Sequence, residues 1–435
     1  MVFSRLFGKS ADAPPRVDES DDAATEDSTD VEVPAADDED VDWATRATRV
    51  IPGGASTGSK RPDRIYGDAH GLPTHFAQAA GCHVITADGD NLIDCTMALG
   101  SVALGYAEPQ LTRYVIEVIA GGTVSGLSHM LEVEVAERFC GMVPCAERVQ
   151  FLKTGAEAMS AALRIARTYT ARDIVVGCGY FGWHDWSSES AGVPAGAQRD
   201  FVRVPFDDIA ALERAVSDAG KRLAAICIEP VIERLPSKEW IARARALCDA
   251  AGAVLIFDEM KTGFRLATGG YQQYAEVTPD LAAFGKALAN GYPLAAVCGR
   301  ADLMEASERT WISSTLAGEA VALAAANAVL GWHDRADVCA SLWSIGKEMR
   351  DVVTAAATAS GVSGVTVDGI DPMWLIRFDD PAVETAFLRA AVSHGVLFKR
   401  GAYNFAALAH DEQALQAIEA AASAAFVDVR DHHAR

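Results

Sequence analysis

Apolar positions along this chain fall into two patterns, short unbroken runs and longer segments in which they recur every three to four residues. Residues 254–257, Val-Leu-Ile-Phe, are too few for a free-standing helix and are rich in branched and aromatic side chains, which predicts a strand buried on both faces. Similar runs predict strands at residues 173–176, 224–228 and 281–284. Residues 149–169 open as a strand and turn at Thr154-Gly155. The pattern of Glu157, Ala158, Ala161, Ala162, Leu163 and Ala166 then predicts a helix. Residues 80–106 predict two strands joined by the Asp88-Gly89 turn and followed by a glycine-rich loop. A short helix from Trp43 leads into residues 51–63, whose Gly and Pro content predicts a loop. Amphipathic helices near 336–359 and 411–427, with short strands at 373–378 and 396–398, predict a compact α+β lobe. The whole reads as α/β, a mostly parallel central sheet with helices on both faces plus a smaller α+β domain. The boundaries expected are a tail at 1–42, an N-terminal segment of the small domain at 43–99, a large domain at 100–318 and the rest of the small domain at 319–435.

Composition narrows the function classes. Half of the 435 residues are apolar, yet no stretch approaches the length of a membrane span, so a soluble cytoplasmic protein is expected. A net charge of −22 argues against nucleic acid as a partner. Residues 1–42 alone hold 14 Asp and Glu against 3 Lys and Arg; with little to bury, residues 11–42 read as a disordered acidic tail. Ahead of it, MVFSRLFGK is a short amphipathic segment that fits either a docking peptide or a frayed terminus. The nine scattered cysteines, with no Cys-x-x-Cys pair, suit small core residues in a reducing compartment better than disulfides or a metal site.

The run at 254–257 ends on Asp258 and Glu259, which places carboxylates at the carboxyl edge of the sheet, where open α/β proteins bind ligands. The run at 281–284 delivers Gly285-Lys286, a lysine between apolar and small residues and so a candidate for a lowered pKa. An acid and a lysine at neighbouring strand ends are what pyridoxal 5'-phosphate requires, the acid to keep its ring nitrogen protonated and the lysine to hold its aldehyde. The same pair also fits an ordinary strand-end ion pair. At residues 177–182, GCGYFG satisfies the G-x-G-x-x-G spelling through Gly177, Gly179 and Gly182, which leaves a nicotinamide oxidoreductase open as a rival.

The stretches DEMKTGFR (258–265), TPDLAAFGKALANGYPLAA (278–296) and IEPV (228–231) resemble the class III, fold type I pyridoxal-phosphate aminotransferases, and more narrowly their glutamate-1-semialdehyde 2,1-aminomutase-like branch, over residues 48–427. The resemblance implies that Lys286 carries the cofactor as a Schiff base and that Asp258 pairs with its ring nitrogen. It puts Tyr180 over one ring face and Met260 on the other, with Lys286, Asp258 and Tyr180 catalytic. Thr154, Gly155 and Ala156 would hold the phosphate, although Thr154 also reads as a plain helix cap. The position of Glu229 at the end of the run 224–228, beside the end of the next strand, makes it a carboxylate standing behind Asp258, and a free structural ion pair fits as well. Thr315, in the segment ahead of a long helix, would reach the neighbouring active site in a homodimer. Lys60 is implied on the substrate side, where a solvated loop lysine fits nearly as well; Lys399, Arg400, Tyr403 and Asn404 are substrate-side candidates from their place in the turn GVLFKRGAYN. Phe181 stands where this family usually has His. The expected reaction moves an amino group between a small-molecule amine donor and an aldehyde or ketone acceptor. Intramolecular transfer of the aminomutase type, and a non-catalytic cofactor-binding protein, remain alternatives.

Overall fold

The structure, a computed structural model, describes residues 41–67 and 71–433. Apart from Val41 and Asp42, the expected acidic tail lies outside them, as does MVFSRLFGK. From Trp43 onward the chain packs as one compact unit.

Fourteen strands build three sheets among the described residues: β1 Phe76–Ala80, β2 His83–Thr86, β3 Asn91–Asp94, β4 Arg148–Leu152, β5 Ile174–Cys178, β6 Phe201–Arg203, β7 Leu223–Ile228, β8 Val254–Asp258, β9 Leu281–Phe284, β10 Ala295–Gly299, β11 Val365–Ile370, β12 Met373–Phe378, β13 Val396–Leu397 and β14 Asn404–Phe405. The central sheet has the order β4-β10-β9-β8-β7-β5-β6. Strand β10 runs against both of its neighbours, and every other pairing in the sheet is parallel. Alternation explains the unbroken apolar runs. Val254 and Ile256 of β8, Leu281 and Ala283 of β9, and Ala225 and Cys227 of β7 join one apolar core. The residues between them, Leu255, Phe257, Ala282, Phe284 and Ile226, join another on the opposite face. With both faces covered, no polar position is left along these strands before Asp258 at the end of β8.

The helix Gly155–Thr170 covers the first of these faces, burying Ala158, Ala161, Ala162 and Ala166, small side chains that let the helix lie close to the sheet. The small strands combine distant segments. In the sheet β1-β2-β3-β13, the C-terminal β13 pairs in parallel with β3. The third sheet, β11-β12-β14, is antiparallel. Eight of the nine cysteines are buried and all are unbridged.

Several expected bounds shift. Residues 51–63 are not a plain loop: they hold 3₁₀ turns at Pro52–Gly54 and Gly58–Lys60 and the start of a helix at Pro62–Tyr66. The strand expected at 173–176 runs to Cys178, and the C-terminal helices are Val338–Ser360 and Glu412–His433. The structure adds β1, β6, β10, β11 and β14 to the strands that patterning predicts.

Candidate active site

Period-two alternation sorts the two carboxylates at the end of β8. Asp258 shares parity with Val254 and Ile256, toward the face covered by the helix Gly155–Thr170. Glu259 faces the other way, is wholly buried, and accepts from the Tyr271 amide at 2.7 Å, the Gln272 amide at 3.0 Å and the Thr262 hydroxyl. It is a structural acid, so the acidic pair in the sequence contributes only Asp258 to the site.

Asp258 pairs in register with Ala283 of β9, three residues before Lys286. Its only hydrogen-bond donor among the described residues is the Met260 amide at 3.0 Å. Burial, and then the charge of Glu229, push its carboxyl up to about 7. Lys286 opens a short 3₁₀ turn with φ 47°, a left-handed conformation that costs a non-glycine residue about 1 kcal/mol or more and that only the surrounding structure can enforce. Burial lowers its amine to about 8, helped by Lys261 and Arg265 and opposed by Asp258 and Glu229. A buried acid with no strong donor and an amine depressed toward neutrality, on adjacent parallel strands, fit a cofactor that offers a cationic ring nitrogen to one and an aldehyde to the other.

The phosphate end fits as well. Thr154 caps its helix in a reciprocal box: its hydroxyl accepts from the Glu157 amide at 3.3 Å, and Glu157 accepts from the Thr154 amide at 2.9 Å. With the hydroxyl engaged in the cap, the anion-binding capacity rests on the Gly155 and Ala156 amides, neither of which has an acceptor among the described residues. Met260 links this turn to the lysine. A methyl added at Gly155 would come within 2.9 Å of its sulfur, and one at Gly285 within 2.7 Å.

The three glycines of GCGYFG serve close packing. Added methyl groups would meet the Phe201 ring at 2.6 Å from Gly177, Glu229 Cβ at 2.4 Å from Gly179 and Ala156 Cβ at 2.5 Å from Gly182. No helix follows β5 until the 3₁₀ turn Ala195–Ala197, so the strand-turn-helix frame of a dinucleotide fingerprint is absent there. Tyr180 is 73% exposed, and its amide donates to Glu229 at 2.9 Å. Phe181 points the other way, 1% exposed, stacked on Trp186 in the core beneath the helix Gly155–Thr170. The side chain is a core residue.

The substrate-side candidates separate. Lys60, Lys399 and Arg400 line one cavity of about 440 Å³ whose remaining walls are mainly apolar, among them Ile65, Phe76, Leu99 and Phe398. Asp258 and Lys286 do not line it, but its wall at Ala98, Leu99, Tyr106 and Ala107 belongs to a segment pinned to the lysine turn. Asn290, which follows that turn, accepts from the Ala103 and Leu104 amides at 3.0 Å each and donates to the Gly105 carbonyl at 2.9 Å. Asn404 is fully buried and accepts from the Lys399 amide, so it supports the turn and does not face a substrate. Tyr403 lies against Lys261. Thr315 is exposed.

Sequence reasoning missed Lys261, Asn290 and Arg265. Arg265 is wholly buried, donates to the carbonyls of Gly100 at 2.9 Å and Ala406 at 3.0 Å, and sits 4.8 Å over the Phe405 ring. It lies inside the DEMKTGFR stretch, and an arginine amid apolar residues was the available signal.

A mostly parallel seven-stranded sheet with helices on both faces, a half-buried lysine and a buried acid at the ends of adjacent strands and an amide cradle at a helix start define a fold type I pyridoxal-phosphate enzyme. The chain belongs to the class-III aminotransferases, whose family profile matches residues 66–178 and 186–414. It is similar to the FumI protein of Sphingopyxis sp. MTA144 in a pyridoxal-phosphate form, at 27% identity and a TM-score of 0.85 over 90% of this chain and 96% of that one. An ω-transaminase from Sphaerobacter thermophilus is 25% identical, with a TM-score of 0.80 over 92% and 99%. A glutamate-1-semialdehyde aminomutase from Pseudomonas aeruginosa PAO1, at 19% identity and a TM-score of 0.77 over 89% and 94%, shares the fold. The cofactor is pyridoxal phosphate. No helix of the described residues is long and apolar enough to cross a membrane.

Proposed function

We propose that the protein transfers an amino group from an amine donor to a separate aldehyde or ketone acceptor, with Lys286 as the reactive amine. The observation that carries this is the Asp258–Lys286 arrangement, an acid and an amine on paired strands whose proton affinities burial has moved to about 7 and about 8. Pyridoxal phosphate, when bound, supplies the electron-withdrawing ring on which amino groups are exchanged. Asp258 would hold the ring nitrogen by charge, and the Gly155 and Ala156 amides would hold the phosphate. Met260 and Tyr180 would confine the ring. Lys286 Nζ, depressed enough to be largely unprotonated in mild base, takes a proton from the substrate carbon and returns it.

The cavity bearing Lys60, Lys399 and Arg400 supports substrates that join an apolar body to an anionic group. Transfer between molecules is favoured over rearrangement within one by the ω-transaminase likeness, since the aminomutase likeness extends to the fold alone. A homodimer is supported by exposed apolar side chains at Val124, Leu127, Met130 and Val133. They lie beside the segment that carries Thr315 and Leu316, which is joined to theirs by the Ala320 amide and the Thr123 carbonyl at 2.8 Å.

The test is an isotope experiment. The cofactor-loaded protein is given nitrogen-labelled amines of varied length and charge together with an unlabelled carbonyl acceptor, and the products are read by mass spectrometry. Label on the acceptor supports the proposal. Isomerisation of an aminoaldehyde on its own carbon skeleton without any added acceptor would refute it in favour of an aminomutase.

A further inference from the structure

The turn after β8 carries a second lysine that the amino-transfer reading leaves unused. The Lys261 side chain is only 14% exposed, an unusual position for an ammonium group, which is costly to bury unless paired and hydrogen-bonded. Two groups meet it: its Nζ lies 2.5 Å from Glu229 Oε1 and 4.4 Å from the centroid of the Tyr403 ring. Each partner leads further. The other carboxylate oxygen of Glu229 accepts from the Tyr180 amide at 2.9 Å, and the Tyr403 hydroxyl accepts from the Glu233 amide at 2.6 Å. One ammonium therefore joins the segment bearing Tyr180 to the C-terminal turn that follows β13.

Lys261 also belongs to the small set of charges around Lys286. Lys261 and Arg265 oppose protonation of the Lys286 amine, whereas Asp258 and Glu229 favour it. Lys261 itself keeps its proton. Burial works against its charge, but Glu229 and Tyr403 outweigh burial and raise it above the ordinary lysine value. The pair is thus a fixed dipole, its positive end held in place by a carboxylate that would otherwise act on Lys286 in the opposite sense.

We infer that Lys261 is a positioning residue for the Lys286 chemistry: it neutralises Glu229, through Glu229 fixes the backbone that presents Tyr180, and sets a positive charge that keeps the Lys286 amine nucleophilic. The inference rests on the reading of Lys286 as the reactive amine. Removing Lys261 has two effects of one sign. The repulsion that disfavours a charged Lys286 disappears, and Glu229 is left unpaired to favour it.

Lys261→Met keeps most of the side-chain length without the charge, and Lys261→Arg keeps the charge. In the full chain freed of cofactor, the rate at which residue 286 is labelled by an amine-selective reagent is followed against pH by peptide mass spectrometry, with thermal melting alongside. Lys261→Met is expected to raise the Lys286 midpoint by about one pH unit, which means tenfold less free amine on the acid side. Lys261→Arg restores the wild-type midpoint. The double variant Lys261→Met with Glu229→Gln, which leaves no unpaired buried charge, gives a smaller rise and guards against misfolding of the single variant. A folded Lys261→Met protein with an unchanged midpoint overturns the inference, as does Lys261→Arg behaving like Lys261→Met. Failure of the underlying reading looks different: Lys286→Ala would then load cofactor and turn over like the wild type.

Discussion

Replacing Gly182 with Ala tests whether the start of the helix Gly155–Thr170 is the phosphate cradle. Gly182 has φ 92°, and an added methyl would sit 2.5 Å from Ala156 Cβ and 2.8 Å from its Cα, so the two backbones must part by about 1 Å to reach ordinary contact. The conformational penalty is roughly 1–2 kcal/mol and the overpacking roughly 1–3 kcal/mol, together a clear loss of thermal stability. The displaced residue carries one of the two amides assigned to the phosphate. Loss of one hydrogen bond to a charged group costs about 1.5–3 kcal/mol, roughly a tenfold to hundredfold weakening of cofactor binding. Gly192 supplies the control. Its φ is 90° and nothing lies within 4 Å of an added methyl, so Gly192→Ala carries the conformational penalty without the collision. Cofactor dissociation constants from the visible absorbance of the loaded proteins, measured with melting curves, separate the two contributions. If Gly182→Ala holds pyridoxal phosphate as tightly as Gly192→Ala does, the cradle is not where this reasoning puts it.

Three further outcomes are expected. Asp258, raised from 3.8 to about 7, binds its proton more tightly in the folded chain than in the unfolded one; its contribution to stability is therefore complete at low pH and is lost as pH rises from about 4 to about 7. Melting of the cofactor-free chain across that window should fall less steeply in Asp258→Asn, and identical slopes would contradict the burial argument. Asn290→Ala removes three hydrogen bonds to Ala103, Leu104 and Gly105 and puts alanine at φ 45°, for a loss of roughly 3–5 kcal/mol in denaturant unfolding; a loss below about 1 kcal/mol would show that the segment is held by other means. Thr315→Ala should loosen cofactor retention on dialysis of the assembled dimer and leave a monomer made by Leu127→Asp unaffected, whereas equal loss in both would place Thr315 in its own chain's site.

What could be read in the sequence was what physics writes locally. Strands β7, β8 and β9 are covered on both faces, so their apolar runs are unbroken and their ends fall where Glu229, Asp258 and Lys286 stand. The capping box announces itself through Thr154 and Glu157 three residues apart. Strand β11 carried a signal too, since its burial alternates along Val365–Ile370. β1 offered less, because four of its five residues are exposed and three are alanine. β14 has two residues and exists only because β12 pairs with it. Glu259 shows the converse, a residue whose type suggests chemistry and whose facing direction, set by alternation and packing, removes it from the site.

The electrostatics of the site could not be read locally, because the partners are far apart in the chain. Glu229, Lys261 and Tyr403 come from the end of β7, the turn after β8 and the turn after β13, and only the assembled sheet with its C-terminal lobe brings them together. The same holds for Lys60, which meets Lys399 and Arg400 around one cavity. An isolated lysine in a sequence reads as a solvated charge, and for most lysines that reading is correct. Lys261 departs from it because its stem is enclosed before its ammonium reaches water, so the charge must be answered inside the protein. Once Glu229 answers it, the charge cannot be neutral in its effect on the amine next to it. Burial alone would lower Lys286, but Asp258 and Glu229 pull the other way, and on the inference above the Lys261–Glu229 pairing keeps two unbalanced carboxylates from raising the amine at the end of β9.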